Sequence, residues 1–258
     1  MIREAEVFFA ALRYFTRLPV PSFGQSEQQQ EQQLERAVRY LPLVGVIVGI
    51  VGALLTVATA QVLPMPLAIL AGMASTLLVT GAIHEDGFAD AVDGFGGGRD
   101  KDQILEIMKD SRIGSFGAIG ITLMLVGKFS ALQQIGAWNG LRMLGFALIA
   151  GHALSRVAPT ALMFALHYVR EEGNAKSRPL VGALSVAGLG LAAVCGLAPC
   201  LLLWSSKAWL AIAMATAVTV IAAAYFVRRI GGYTGDCLGA TQQLAELAFY
   251  FGLACKPS

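Results

Sequence analysis

The sequence predicts an all-α polytopic membrane protein, with about seven transmembrane helices after an N-terminal amphipathic helix on the membrane surface. Three observations predict it. Of the 258 residues, 56% are apolar and only 14% are charged, and the mean hydropathy is +0.64. Apolar runs of about eighteen or more residues recur, each long enough to cross a hydrocarbon core about 30 Å thick. Basic residues are also divided very unevenly between the connections.

Residues 2–16 interleave Val7, Phe8, Ala11, Leu12 and Phe15 with Arg3, Glu4, Glu6 and Arg13. This pattern suits a helix lying on a membrane and is too charged to span one. The first apolar stretch is short and broken by Arg13 and Arg17, so no cleavable signal peptide is expected. A proline-fixed turn, TRLPVP, follows at 16–21, then a glutamine-rich polar loop at 22–35. Spans are predicted at 42–63, 66–83, 115–136, 141–166, 179–204, 208–227 and 238–254. Small residues at Gly45, Gly49 and Gly52, and again at Gly188, Ala192 and Gly196, form rows that permit close helix packing.

Orientation follows from counting Lys and Arg. The N-terminus and the second, fourth and sixth connections carry five, four, three and two, or fourteen in all, against Arg142, Lys207 and Lys256 on the other side. That places the N-terminus and the polar segment 84–114 in the cytoplasm of a multi-pass membrane protein. The chain, 1–258, reads as one integral membrane domain, with 1–41 its cytoplasmic amphipathic helix and loop. Within the spans Lys128, Arg156 and Glu246 are costly, and Lys128 either pairs with Glu246 or serves a site. Cys195, Cys200, Cys237 and Cys255 have no metal-like spacing and read as small buried hydrophobes.

Segment 84–114 holds eight of the seventeen carboxylates. Asp86, Asp90 and Asp93 stand at i, i+4 and i+7, on one face of a helix, where they repel one another unless a cation lies among them. All-oxygen ligands favour Mg²⁺ or Mn²⁺. Two ions, or a break at Gly87, would reconcile the length of that face with metal binding. Gly87, Gly94, Gly96, Gly97 and Gly98 offer turns where backbone could approach phosphate oxygens. In KDSRIGSFG, 109–117, Asp110 can join the metal. Lys109, Arg112 and the amides from Ser111 onward suit a phosphate. In GGYTGDCLGA, 231–240, Thr234, Gly235 and Asp236 head the last span, as phosphate contacts or as a simple N-cap. His84 is a candidate general base toward an attacking hydroxyl. Together these parts describe phosphoryl transfer, which needs positioning and charge neutralisation more than covalent chemistry.

HEDGFADAVDG at 84–94, LEIMKDSRIG at 105–114 and TGDCLGA at 234–240 resemble the adenosylcobinamide-GDP ribazoletransferase family. FTRLPVP at 15–21 and YVREEG at 168–173 also fit it. The resemblance implies a Mg²⁺-dependent membrane enzyme that joins adenosylcobinamide-GDP to α-ribazole or its 5′-phosphate and releases GMP. It implies Asp86, Asp90 and Asp93 as metal ligands, Asp110 and Asp236 as lesser ones, and Arg17, Lys109 and Arg112 as oxyanion clamps. The expected partners are the two substrates, the lipid bilayer, and either another copy of the chain or other cobalamin-assembly enzymes, without nucleic acid. Two rivals were weighed. A CDP-alcohol phosphotransferase would need Arg where Asp90 stands, and a secondary transporter would carry its ionisable groups near the midplane.

Overall fold

The structure is a computed structural model that describes residues 4–21, 33–170 and 184–256. Among these residues every regular element is helical, apart from one bridge between Tyr168 and Tyr233. Helix α1 (Glu4–Phe15) buries Val7, Ala10, Ala11, Leu12 and Phe15. They join a core with Leu41, Val44, Val48, Phe88 and Met108. The apolar stripe expected to lie in a membrane surface therefore faces protein, and Arg39 and Tyr40 each hold Glu4 at 2.7 Å.

A short 3₁₀ turn, Val38–Tyr40, leads into α2 (Leu41–Thr59), and α3 (Met65–Thr80) returns beside it. Their glycines do what the small-residue rows predicted. A Cβ on Gly49 would lie 2.6 Å from the Ile149 Cα, one on Gly52 would lie 2.7 Å from Thr76, and one on Gly72 would collide with the Thr56 hydroxyl. Helix α3 ends in a left-handed pair, Gly81 (φ 64°) and Ala82 (φ 56°). The chain then turns by 88° into α4 (Ile83–Gly97). The span predicted at 66–83 thus stops at Thr80, and the acidic helix runs across it rather than along it.

Helix α5 (Lys101–Ile107) is short and well capped. The Asp100 carboxylate accepts from the Gln103 amide at 3.0 Å as the helix N-cap, and the Gln103 side chain accepts from the Arg99 amide at 3.1 Å. Helix α6 (Ser115–Ser155) continues almost directly into α7 (Val157–Ala165) and is broken at Gly140, with φ 79° and ψ 172°. Helix α8 (Val186–Leu197) runs on as a 3₁₀ segment, Ala198–Leu203, followed by α9 (Ser206–Ile230) and α10 (Gly235–Leu253). The beginning of the span predicted at 179–204 lies outside the described residues.

By length and composition, four helical stretches can cross a membrane: Gln33–Thr59, Ser115–Ala165, Val186–Leu203 and Ser206–Ile230. The bent α3–α4 pair makes five if counted as one. Ser115–Ala165 has 51 residues, about 75 Å of helix, more than twice a bilayer core. Gly140 divides it where the sequence placed a connection between two spans. Helix α10, expected as the seventh span, is a central helix with a polar face and is not among the stretches apolar enough to cross by composition. Its Thr241, Gln242, Gln243 and Glu246 are all at most 2% exposed.

Those side chains build a buried ionic network between α4, α6 and α10. Lys128 lies 3.0 Å from Glu246 and also donates to Gln243. Gln242 donates to Glu246 at 2.7 Å and to Ser155 at 2.8 Å, and Gln243 donates to Glu85 at 2.8 Å. Of the two readings of Lys128, pairing with Glu246 is the one observed. Exposed aromatics mark one end of the bundle, where Lys207 stands 5.1 Å over the Trp138 ring and Trp204 and Trp209 are 95% and 75% exposed. Such residues favour a membrane–water boundary. The opposite end gathers α4, α5, the start of α6 and the start of α10.

Candidate active site

Two glycines set the site. Helices α4 and α10 touch at Gly87 and Gly239. A Cβ on Gly239 would stand 2.9 Å from the His84 carbonyl oxygen, and one on Gly87 would stand 3.2 Å from the Asp236 Cα. Only backbone-to-backbone contact brings α10 this close. It places Asp236, in the first turn of α10, across from Asp86 and Asp90, one helical turn apart on α4. The three carboxylates line a cavity of about 500 Å³ with His84, Lys109 and Arg170. Its remaining wall is largely apolar, with Tyr14, Phe15, Met108 and Met163.

Arg170 is the residue that sequence reasoning missed. The segment after α7 pairs with the one before α10: the Val169 amide donates to the Tyr233 carbonyl at 3.0 Å, and the Tyr233 amide donates to the His167 carbonyl at 2.9 Å. That register delivers Arg170 to Asp236 as an ion pair, with a second bond to the Met108 carbonyl at 3.3 Å. The motif YVREEG stands out in the sequence, and the bridge is what brings its Arg170 into the cavity. The remainder of that motif, from Glu171 on, lies outside the described residues.

The electrostatics describe a place short of positive charge. Asp90 is half-buried, and desolvation, then the facing Asp236 and Asp86, push its carboxyl up to about 7, partly offset by Arg170. Burial also raises Asp236, against the pull of Arg170. Burial, then the charge of Arg156, holds the His84 imidazole well below its ordinary value, so the ring is neutral and a weak base.

Other expected residues fall elsewhere. Asp93 does not line the cavity. Its oxygens accept from the Gly114 and Gly117 amides at 2.7 and 2.8 Å, so it caps the start of α6. The amides expected to bind a phosphate there are taken by the protein's own carboxylate, and Gly114 and Gly117 leave the room it needs. Asp110 folds back on Arg112, at 2.7 Å, which lowers Asp110 to about 2. Both stand outside the cavity, as does the exposed Ser111. Thr234 is fully buried and caps α10 by accepting from the Cys237 amide at 3.3 Å, the simpler of the two readings, while Gly235 lines the cavity. Arg17 opens on a neighbouring hollow that shares Asp86 with the first. Of the glycines expected to approach phosphate only Gly87 reaches the cavity. Gly94 and Gly98 pack on Met108 and Ile104 of the α5 segment, and Gly96 packs on Phe116.

Fold and site together define a helical, membrane-type chain with an acid- and cation-lined cavity at one end of its bundle. The cobalamin-5-phosphate synthase family model matches residues 7–254. The chain belongs to that family. It is similar to the adenosylcobinamide-GDP ribazoletransferase of Leptothrix cholodnii, 42% identical over 257 residues, covering 98% of this chain and 96% of the relative. It is also similar to those of Shewanella frigidimarina, 39% identical over 249 residues (96% and 94%), and Shewanella woodyi, 41% identical over 254 residues (97% and 96%). No solved structure matches the chain. Family membership sets aside both the CDP-alcohol phosphotransferase and the transporter.

Proposed function

We propose that the chain joins adenosylcobinamide-GDP to α-ribazole or α-ribazole 5′-phosphate in the cavity between α4 and α10, releasing GMP. The observation that carries this reading is the convergence of Asp86, Asp90 and Asp236 with Arg170 and Lys109 on one cavity, in a chain of this family. The acceptor hydroxyl oxygen attacks the phosphorus on the corrinoid side of the diphosphate. A new P–O bond forms, the bond from that phosphorus to the bridging oxygen breaks, and GMP leaves with the electron pair. The hydroxyl proton passes to a base of the cavity wall, for which His84 is the candidate read from the sequence. Lys109 and Arg170 face the diphosphate oxygens, and the apolar wall keeps water from competing with the acceptor.

Mg²⁺ fits this set of groups. Among the described residues no three His, Cys, Asp or Glu side chains stand close enough to enclose an ion unaided. That suits an ion held by one or two carboxylates, with substrate phosphates and water completing its shell. One or two of Asp86, Asp90 and Asp236 would hold it, and when bound it would neutralise charge on the diphosphate. A corrin macrocycle exceeds the cavity, so the ring remains outside while the diphosphate enters.

The cavity lies at the end of the bundle that carries most of the cations, which supports a cytoplasmic site in an inner-membrane protein. The test is purified protein in nanodiscs with adenosylcobinamide-GDP, α-ribazole and Mg²⁺. Stoichiometric GMP and cobalamin are expected, abolished by chelation and restored by Mg²⁺. Undiminished turnover after exhaustive chelation would contradict the metal. No GMP under any condition would contradict the transfer itself.

A further inference from the structure

The hollow beside the cavity has no part in the reaction above. It holds about 550 Å³ between the end of α1 and the α3–α4 turn, lined by Arg13, Thr16, Arg17, Gly81, Ala82 and Asp86 among others. Arg17 is built into it. Its backbone amide donates to the Val79 carbonyl at 2.7 Å. Its guanidinium rests on the bare backbone of Gly81, where any Cβ would collide with Nε. Among the described residues the Arg17 side chain makes no hydrogen bond or ion pair, and that of Arg13 makes one long bond, 3.4 Å, to the Pro21 carbonyl. Two guanidiniums with unspent donors, opening on one hollow, fit a dianionic group with several acceptor oxygens. Helix α4 starts at the same place without a side-chain cap, which adds partial positive charge of the same sense.

We propose that this hollow is a phosphomonoester subsite, and that it takes the 5′-phosphate of the acceptor nucleoside when the acceptor carries one. This rests on the transferase reading. The donor's diphosphate is already matched in the first cavity, where Asp90, Asp236 and Arg170 stand and neither Arg13 nor Arg17 does. Asp86 lines both spaces. A phosphate at Arg17 therefore lies one side chain away from where the acceptor hydroxyl must react. Arg13 and Arg17 then set the preference for a phosphorylated over an unphosphorylated acceptor.

The experiment compares kcat/KM for α-ribazole 5′-phosphate and α-ribazole in wild type, Arg13→Ala, Arg17→Ala and Arg17→Lys, in phosphatidylcholine nanodiscs. Arg17→Ala is expected to lower the ratio of the two by at least about tenfold, and Arg17→Lys to recover part of it, since lysine keeps the charge without the fork. Equal losses on both acceptors, or no loss on either, would overturn the subsite. Calorimetric titration of each acceptor without donor makes the same comparison without turnover. Phosphate-dependent binding that needs Arg17, in protein that releases no GMP, would refute the transferase and keep the subsite. Adding phosphatidate separates the sources of phosphate. Competitive inhibition by phosphatidate that Arg17→Ala relieves would assign the hollow to a lipid headgroup and overturn the acceptor assignment.

Discussion

Asp90→Asn should lower GMP release by about a thousandfold or more while leaving the protein folded, because it removes a carboxylate that would hold the cation neutralising the diphosphate. Asp90 is half-buried and faces two further carboxylates, so its charge is a burden on the fold in the absence of a cation. Asparagine keeps the shape and relieves the repulsion, and the unfolding midpoint of the metal-free variant should be no lower than that of the wild type. Asp93→Asn provides the contrast. Asp93 accepts two backbone amides, one on each oxygen, and does not line the cavity. Asparagine keeps one acceptor and turns a donor toward the other amide, which should cost about 1–2 kcal/mol of stability and leave kcat largely intact. Size-exclusion profiles, thermal unfolding and GMP assays on the two variants separate these effects. Full activity in Asp90→Asn would remove it from the site.

Lys128→Met should destabilise the bundle, by up to about 3–5 kcal/mol, since it removes the ammonium paired with Glu246 in the interior. The pair is 3.0 Å apart, with side chains only 6% and 3% exposed. Gln242 and His152 remain beside Glu246, and the buried Arg156 guanidinium still attracts it, which limits the loss. The double variant Lys128→Met/Glu246→Leu removes both charges and should regain most of the loss. Unfolding midpoints of the singles and the double, in one detergent, check this. A single variant as stable as the wild type would contradict a charged pair at this position.

The membrane class, the glycine-lined helix crossings and the acidic helix were legible because each has a local signature: hydropathy, small residues at helical spacing, carboxylates one turn apart. Asp93 shares that spacing with Asp86 and Asp90 and has a different task, since the start of α6 lies across its end of α4. No sequence period encodes which neighbour a helix face meets. Arg170 was hidden for the same reason, because its place depends on a bridge between Tyr168 and Tyr233 some sixty-five residues apart in the chain. The glycines of α4 read as phosphate turns because glycine also serves close packing, and only contact distances tell the two apart. The polar face of α10 was hidden because its Thr, Gln and Glu are interspersed with alanine, leucine and phenylalanine, and no sequence period shows that these polar groups meet one another inside the bundle.

The account's central claim is that the cavity between α4 and α10 holds the metal and the donor's diphosphate. The direct measurement is crystallography of the protein with Mn²⁺ in place of Mg²⁺ and a non-hydrolysable adenosylcobinamide-GDP analogue, locating the metal by anomalous scattering. The account predicts manganese among the Asp86, Asp90 and Asp236 carboxylates, with the diphosphate between it and Arg170. Manganese and diphosphate bound elsewhere, with those three carboxylates free of both, would contradict it.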